Sequence, residues 1–113
     1  MVDMCSDIFS PAFNRSNTEA GVRNTNWMYG GQDGYNGTEV VFVNGSEDPW
    51  QQLSLSADHP PLQPDSVKTI LMKGASHAAD MWRWRKGMVD SVRKAQKAIK
   101  HQLWWWIRKS TAS

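Results

Sequence analysis

A chain of 113 residues is one domain at most. Its formal charge of +2 hides a division, because residues 1–82 carry four Lys/Arg against ten Asp/Glu whereas residues 83–113 carry nine against one. No run of eighteen apolar residues exists, which excludes a membrane-spanning helix, and the start of the chain, with Asp3 and Asp7 and no apolar core, does not read as a signal peptide.

In chain order, residues 1–14 read as an extended lead-in, with Ile8, Phe9 and Phe13 around Pro11. The single cysteine, Cys5, has no partner for an internal disulfide. It is either a free buried thiol or an orphaned half-cystine. Thr18 to Val22 supplies at most a short helical turn, weakened by Gly21. From Asn24 to Gly37 the density of Asn and Gly is that of a loop, which Trp27 and Tyr29 are expected to anchor.

Glu39 to Asn44 reads as a strand. Val40-Val41-Phe42-Val43 shows no polar alternation, the pattern of a strand covered on both faces in a parallel sheet. Asp48-Pro49-Trp50 turns the chain, and a brief helix is expected over Gln51 to Ala57. Prolines at 60, 61 and 64 exclude regular structure there. Val67 to Met72 is the second strand, stopped by Gly74. Ala78 to about Arg108 then reads as one long helix, with Met88, Val92, Ala95, Ile99, Leu103 and Trp106 on one face. Two strands joined by a crossover of about twenty residues and continued by a helix read as the end of an open α/β sheet. Two strands alone make too small a sheet.

Each strand ends in a glycine-containing turn carrying one ionisable residue: Asp48 after the first and His77 after the second. An acid and then a histidine past successive strand ends is the order of the last two members of an α/β-hydrolase catalytic triad. A histidine base needs a carboxylate on its other ring nitrogen to fix the tautomer and stabilise the imidazolium. Pro49 would stiffen the turn that aims Asp48, and Trp50 would pack beside it and exclude water. The competing readings are a turn cap for Asp48 and a surface loop histidine for His77. A nucleophile is harder to find. Gly74-Ala75-Ser76-His77-Ala78 approximates Gly-x-Ser-x-Gly between a strand and a helix, but only Asp80, Asp90 and His101 come after it, all along one helix. Ser46 enters a turn rather than a strand-to-helix elbow.

Three blocks carry a family likeness: Asn26-Trp27-Met28-Tyr29-Gly30-Gly31, the run Val-Phe-Val-Asn-Gly-Ser-Glu-Asp-Pro-Trp ending at Trp50, and Gly74-Ala75-Ser76-His77-Ala78-Ala79-Asp80-Met81. From about Cys5 to Trp84 the chain resembles the carboxyl-terminal part of the serine peptidases that include prolyl carboxypeptidase, dipeptidyl peptidase II and thymus-specific serine protease. The resemblance implies a carboxyl-terminal piece of an α/β-hydrolase fold, residues 1–84, with Asp48 as triad acid and His77 as triad base. It implies cleavage beside proline at a peptide end, with a peptide as substrate, no cofactor and no metal. It also implies a lysosomal or secreted, often homodimeric glycoprotein, so the sequons at Asn14 and Asn36 become candidate glycan sites and Cys5 a half-cystine. Asn44, the third sequon, is expected to make a structural side-chain bond instead. The family's Gly-x-Ser-x-Gly precedes all three blocks and is not in this sequence, so the chain alone is expected to be inactive.

Residues 85–113 form a basic, Trp-rich helix and tail that departs from the family pattern. Its bland reading is a terminal helix packed on the sheet with a solvated basic face. A basic amphipathic helix with interfacial tryptophans is also suited to an anionic membrane. Nucleic acid is the less favoured partner. The rival to the peptidase reading is therefore a non-catalytic binding protein whose helix contacts a membrane or an acidic partner.

Overall fold

The computed structural model describes residues 2–111. They divide into two compact units, residues 2–35 and 36–111.

The first unit is helical, not extended. Helix α1 covers Val2–Ile8, a 3-10 turn covers Pro11–Phe13, and α2 runs over Arg15–Tyr29. The expected lead-in, the short turn at Thr18 to Val22 and the first part of the expected loop are therefore mostly helix. Capping explains the difference. Asn14 stands in extended conformation ahead of α2 and its Oδ1 accepts the Asn17 N–H at 3.0 Å. Gly30, in the left-handed region at φ 86°, ends the helix. Ser10 Oγ accepts from the Ala12 N–H in the same way one turn earlier. Trp27 and Tyr29, expected as anchors, are instead 84% and 73% exposed.

The second unit contains the two expected strands, β1 (Val40–Gly45) and β2 (Val67–Met72). They pair in parallel from Val40 opposite Val67 to Gly45 opposite Met72, so the chain leaves both strands at the same end of the sheet. This parallel pairing, in a unit that also carries a long carboxyl-terminal helix, is an α/β arrangement. Val40 to Val43 are half-buried rather than covered on both faces, since the sheet has only these two strands among the described residues. The segment after Asp48 is a 3-10 turn, Pro49–Leu53, in place of the helix expected over 51–57. Pro49 suits its first position because the missing N–H would have no partner there.

The long helix expected from Ala78 begins late. A 3-10 turn at Ala79–Met81 leads to extended Trp82 (φ −87°, ψ 142°), and Gly87 turns the chain at φ 99°. Helix α3 then runs over Asp90–Thr111. Its apolar face is the one the residue spacing predicts: Val92, Ala95 and Trp106 are buried and Ile99 is half-buried, although Leu103 is 46% exposed. Met72, Ala75, Ala79, Val92 and Ala95 form the core, with Val43, Ile70 and Met88 packed against it. Elsewhere on α3, Arg108 stacks 4.1 Å from the Trp104 ring centroid and Lys109 lies 5.3 Å from that of Trp105. No helix among the described residues is long and apolar enough to cross a membrane.

Candidate active site

Parallel pairing without a register slip brings the two post-strand turns side by side. Asp48 lies just past β1 and His77 just past β2, and His77 Nδ1 is 2.7 Å from Asp48 Oδ2. The acid is buried, at 6% exposure, while the imidazole is open to solvent, 69% of its side chain being exposed. Asp48 does two jobs at once. Its Oδ1 accepts the Trp50 N–H at 3.0 Å and caps the 3-10 turn, leaving Oδ2 for the histidine. The turn-cap reading and the pairing with His77 are therefore both realised, by different oxygens.

The hydrogen bond with His77 is the main cause that holds the Asp48 carboxyl below its ordinary value of 3.8; burial opposes this shift and the Trp50 N–H assists it. Ionised, Asp48 is an acceptor only, which favours the proton of a neutral imidazole on Nδ1 and leaves Nε2 as the basic nitrogen. Such an imidazole can take a proton from a hydroxyl and stabilise the resulting positive charge against the carboxylate. An open depression of about 400 Å³ adjoins the pair, with Val43, Trp50, Asp80 and Met81 on its walls.

Trp50 does not shield the acid as expected: its side chain is exposed and its backbone N–H makes the contact. Ser76 is exposed and outside the positive-φ region; among the described residues Glu39 and Ala78 are the non-glycines there. It does not occupy a strained elbow of the kind that presents a nucleophile. The strain falls instead on Ala78, at φ 53°, immediately after His77. Ser46 is committed to the loop, its Oγ accepting the Gly74 N–H at 2.7 Å and donating to Glu47 Oε1 at 2.8 Å.

Two residues not singled out from the sequence fix the base turn to α3. Ser91 Oγ donates to the Lys73 carbonyl at 2.7 Å, and Gln96 Nε2 donates to the carbonyls of Asp80 and Trp82 at 2.8 and 2.7 Å. They lie on the polar flank of the α3 stripe, where the helical period alone does not distinguish a tether from a solvated residue. Asn44 is buried and its Nδ2 donates to the Leu55 carbonyl at 2.8 Å, the structural bond expected of it. Asn14 is engaged as a cap, with Nδ2 donating to the Pro11 carbonyl at 2.9 Å. Asn36 is exposed and accepts from Gln63 through Oδ1. Cys5 is half-buried, with a free thiol. Among the described residues no group of three or more His, Cys, Asp and Glu is placed to hold a metal ion.

Comparison with known proteins shows the family. The family described as Serine carboxypeptidase S28 matches residues 1–99. A putative serine protease of Caenorhabditis elegans is 33% identical over 107 residues, covering 95% of this chain and 19% of its own length. Thymus-specific serine protease is 35% identical in Mus musculus and 33% in Homo sapiens, each match covering 95% of this chain and 20% of the relative. The chain thus spans about one fifth of the length of these relatives. No solved structure matches it. The likeness reaches beyond Trp84 into α3, which agrees with the packing of that helix on β2 through Val92 and Ala95. The chain belongs to the serine carboxypeptidase S28 family of serine peptidases.

Proposed function

We propose that this chain supplies the acid, Asp48, and the base, His77, of a serine peptidase triad whose nucleophilic serine lies outside these 113 residues. The observation that supports this is the 2.7 Å contact between Nδ1 and a buried, ionised carboxylate, made across the ends of two parallel strands. In the reaction Asp48 holds the tautomer. His77 Nε2 accepts the serine proton during attack on the substrate carbonyl, then passes it to the leaving amine. The substrate class we infer is a peptide cut beside proline near one end, by analogy with the family. On the same analogy the protein is lysosomal or secreted. Asn36, exposed, is then a better glycan acceptor than Asn14, whose side chain is engaged in capping α2.

An oxyanion hole of this type uses the backbone N–H after the nucleophile, so neither nucleophile nor hole is complete in the chain alone. A fluorophosphonate probe therefore leaves the 113-residue chain unlabelled, and stoichiometric labelling at Ser46 or Ser76 would overturn the reading. A graft tests the positive half. With this chain in place of the matched segment of mouse thymus-specific serine protease, labelling of the relative's serine is expected, and His77→Ala in the graft abolishes it. Equal labelling with and without His77 removes the base role.

A further inference from the structure

The two turns are joined by more than the Asp48–His77 contact. Ser46 N–H donates to the Met72 carbonyl at 3.1 Å, and Glu47 N–H donates to the Ala75 carbonyl at 3.0 Å. Between them Ser46 Oγ takes the Gly74 N–H at 2.7 Å. The acid turn is therefore fastened along the base turn, from the last residue of β2 to Ala75. Gly45 makes this closeness possible. A Cβ built on it would lie 2.4 Å from the Ala75 carbonyl oxygen and 2.5 Å from that of Ser76, both backbone atoms on the approach to His77. No side-chain rotation relieves such a contact, so the base turn itself must move.

We propose that Gly45 and Ser46 are positioning residues for the Asp48–His77 pair: Gly45 by letting the two backbones meet, and Ser46 by bridging them through its hydroxyl. The proposal rests on the reading of the pair as acid and base. A displacement of the base turn by about 1 Å stretches a 2.7 Å hydrogen bond beyond useful range, because a contact near 3.6 Å is no longer a hydrogen bond. Gly45→Ala moves the turn as a whole. Ser46→Ala removes one fastening and leaves the Gly74 N–H to water, a milder change.

The test reads the histidine tautomer in the 113-residue chain by long-range ¹H–¹⁵N correlation of the His77 ring, with circular dichroism to monitor the fold. The wild-type chain is expected to hold the proton on Nδ1. Gly45→Ala is expected to lose that signature, and Ser46→Ala to lose part of it, with recovery in Ser46→Thr, which restores the hydroxyl. Ser46→Ala keeps the proposal testable if Gly45→Ala unfolds, since the bridge is exposed and its loss spares the core. An unchanged tautomer in a folded Ser46→Ala chain overturns the role of Ser46, and an unchanged tautomer in a folded Gly45→Ala chain overturns that of Gly45. The triad reading fails separately. If the variants shift the tautomer but Asp48→Asn leaves fluorophosphonate labelling of the graft intact, positioning stands and the catalytic assignment falls.

Discussion

Different kinds of interaction stabilise each of the two compact units internally. In residues 4–35 no side chain is buried, and local polar contacts recur: Ser10 caps the 3-10 turn, Asn14 caps α2, Ser6 reaches the Phe13 carbonyl, and Arg15 and Arg23 flank Glu19 at 3.7 and 4.0 Å. Exposed ion pairs of this type contribute little, about 0–1 kcal/mol. In residues 36–111 a buried cluster around Met72 and Val92 is tied to side-chain bonds between groups distant in sequence, including Asp48–His77, Ser46–Gly74, Ser91–Lys73 and Gln96–Asp80. The comparison teaches that the candidate site here coincides with a core. Asp48 and His77 meet because the strands beneath them are fixed by packing.

The largest expected effect breaks the second unit at its centre. Met72 has no exposed surface and is the last residue of β2, bonded through its carbonyl to both Ser46 and Ala75. Truncation by Met72→Ala removes packing on Val92 and Ala95 and is expected to cost about 2–5 kcal/mol. Urea denaturation monitored by tryptophan fluorescence and by His77 resonances measures it. Loss of the His77 signature at the same urea concentration as the core ties the site to the packing. A site that survives the loss of the core would break the comparison.

A smaller effect sharpens it through pH. The Asp48 carboxyl titrates below its ordinary value of 3.8 in the folded chain, so on acidification the unfolded chain takes up the proton first. Stability contributed by this group is therefore present above pH 3.8 and is lost as pH falls through the lower folded value. The difference in urea midpoint between wild type and Asp48→Asn is expected to shrink as pH falls across that acid window. A difference that grows across the same window contradicts the depressed carboxyl.

Legibility from sequence divides along the same line. β2 is legible to the residue and β1 to within one, because the apolar runs Val40 to Val43 and Ile70 to Met72, closed by the turns at Gly45 and Gly74, carry their own signal. Asp48 and His77 are readable as a pair because a parallel crossover leaves both strand ends on one side. The apolar face of α3 is visible, but its start is not: Gly87 and the extended Trp82 interrupt the chain while the spacing of Met88 and Val92 remains helical. Most of α2 is hidden. Its Asn, Thr and Gly residues favour turns in isolation, and with nothing buried there is no apolar stripe to outweigh them. The contacts of Gly45 and Ser46 with the base turn are invisible too, since neither a hydroxyl acceptor nor a close backbone approach has a sequence period.

The smallest expected effect falls on the first unit and isolates the contribution of local structure. Asn14 Oδ1 accepts the Asn17 N–H, Nδ2 donates to the Pro11 carbonyl, and the Asn14 carbonyl accepts from both the Thr18 N–H and its hydroxyl. Asn14→Ala removes the two side-chain bonds while keeping the carbonyl, and is expected to cost about 1 kcal/mol, the usual value of an N-cap. Because the core cluster lies wholly in the second unit, the loss is expected as faster amide exchange over the first turn of α2, with the His77 tautomer and the exchange of β2 unchanged. Faster exchange in β2 as well would mean that the two units share one unfolding step. Confinement to α2 means that loss of this cap leaves the Asp48–His77 contact in place.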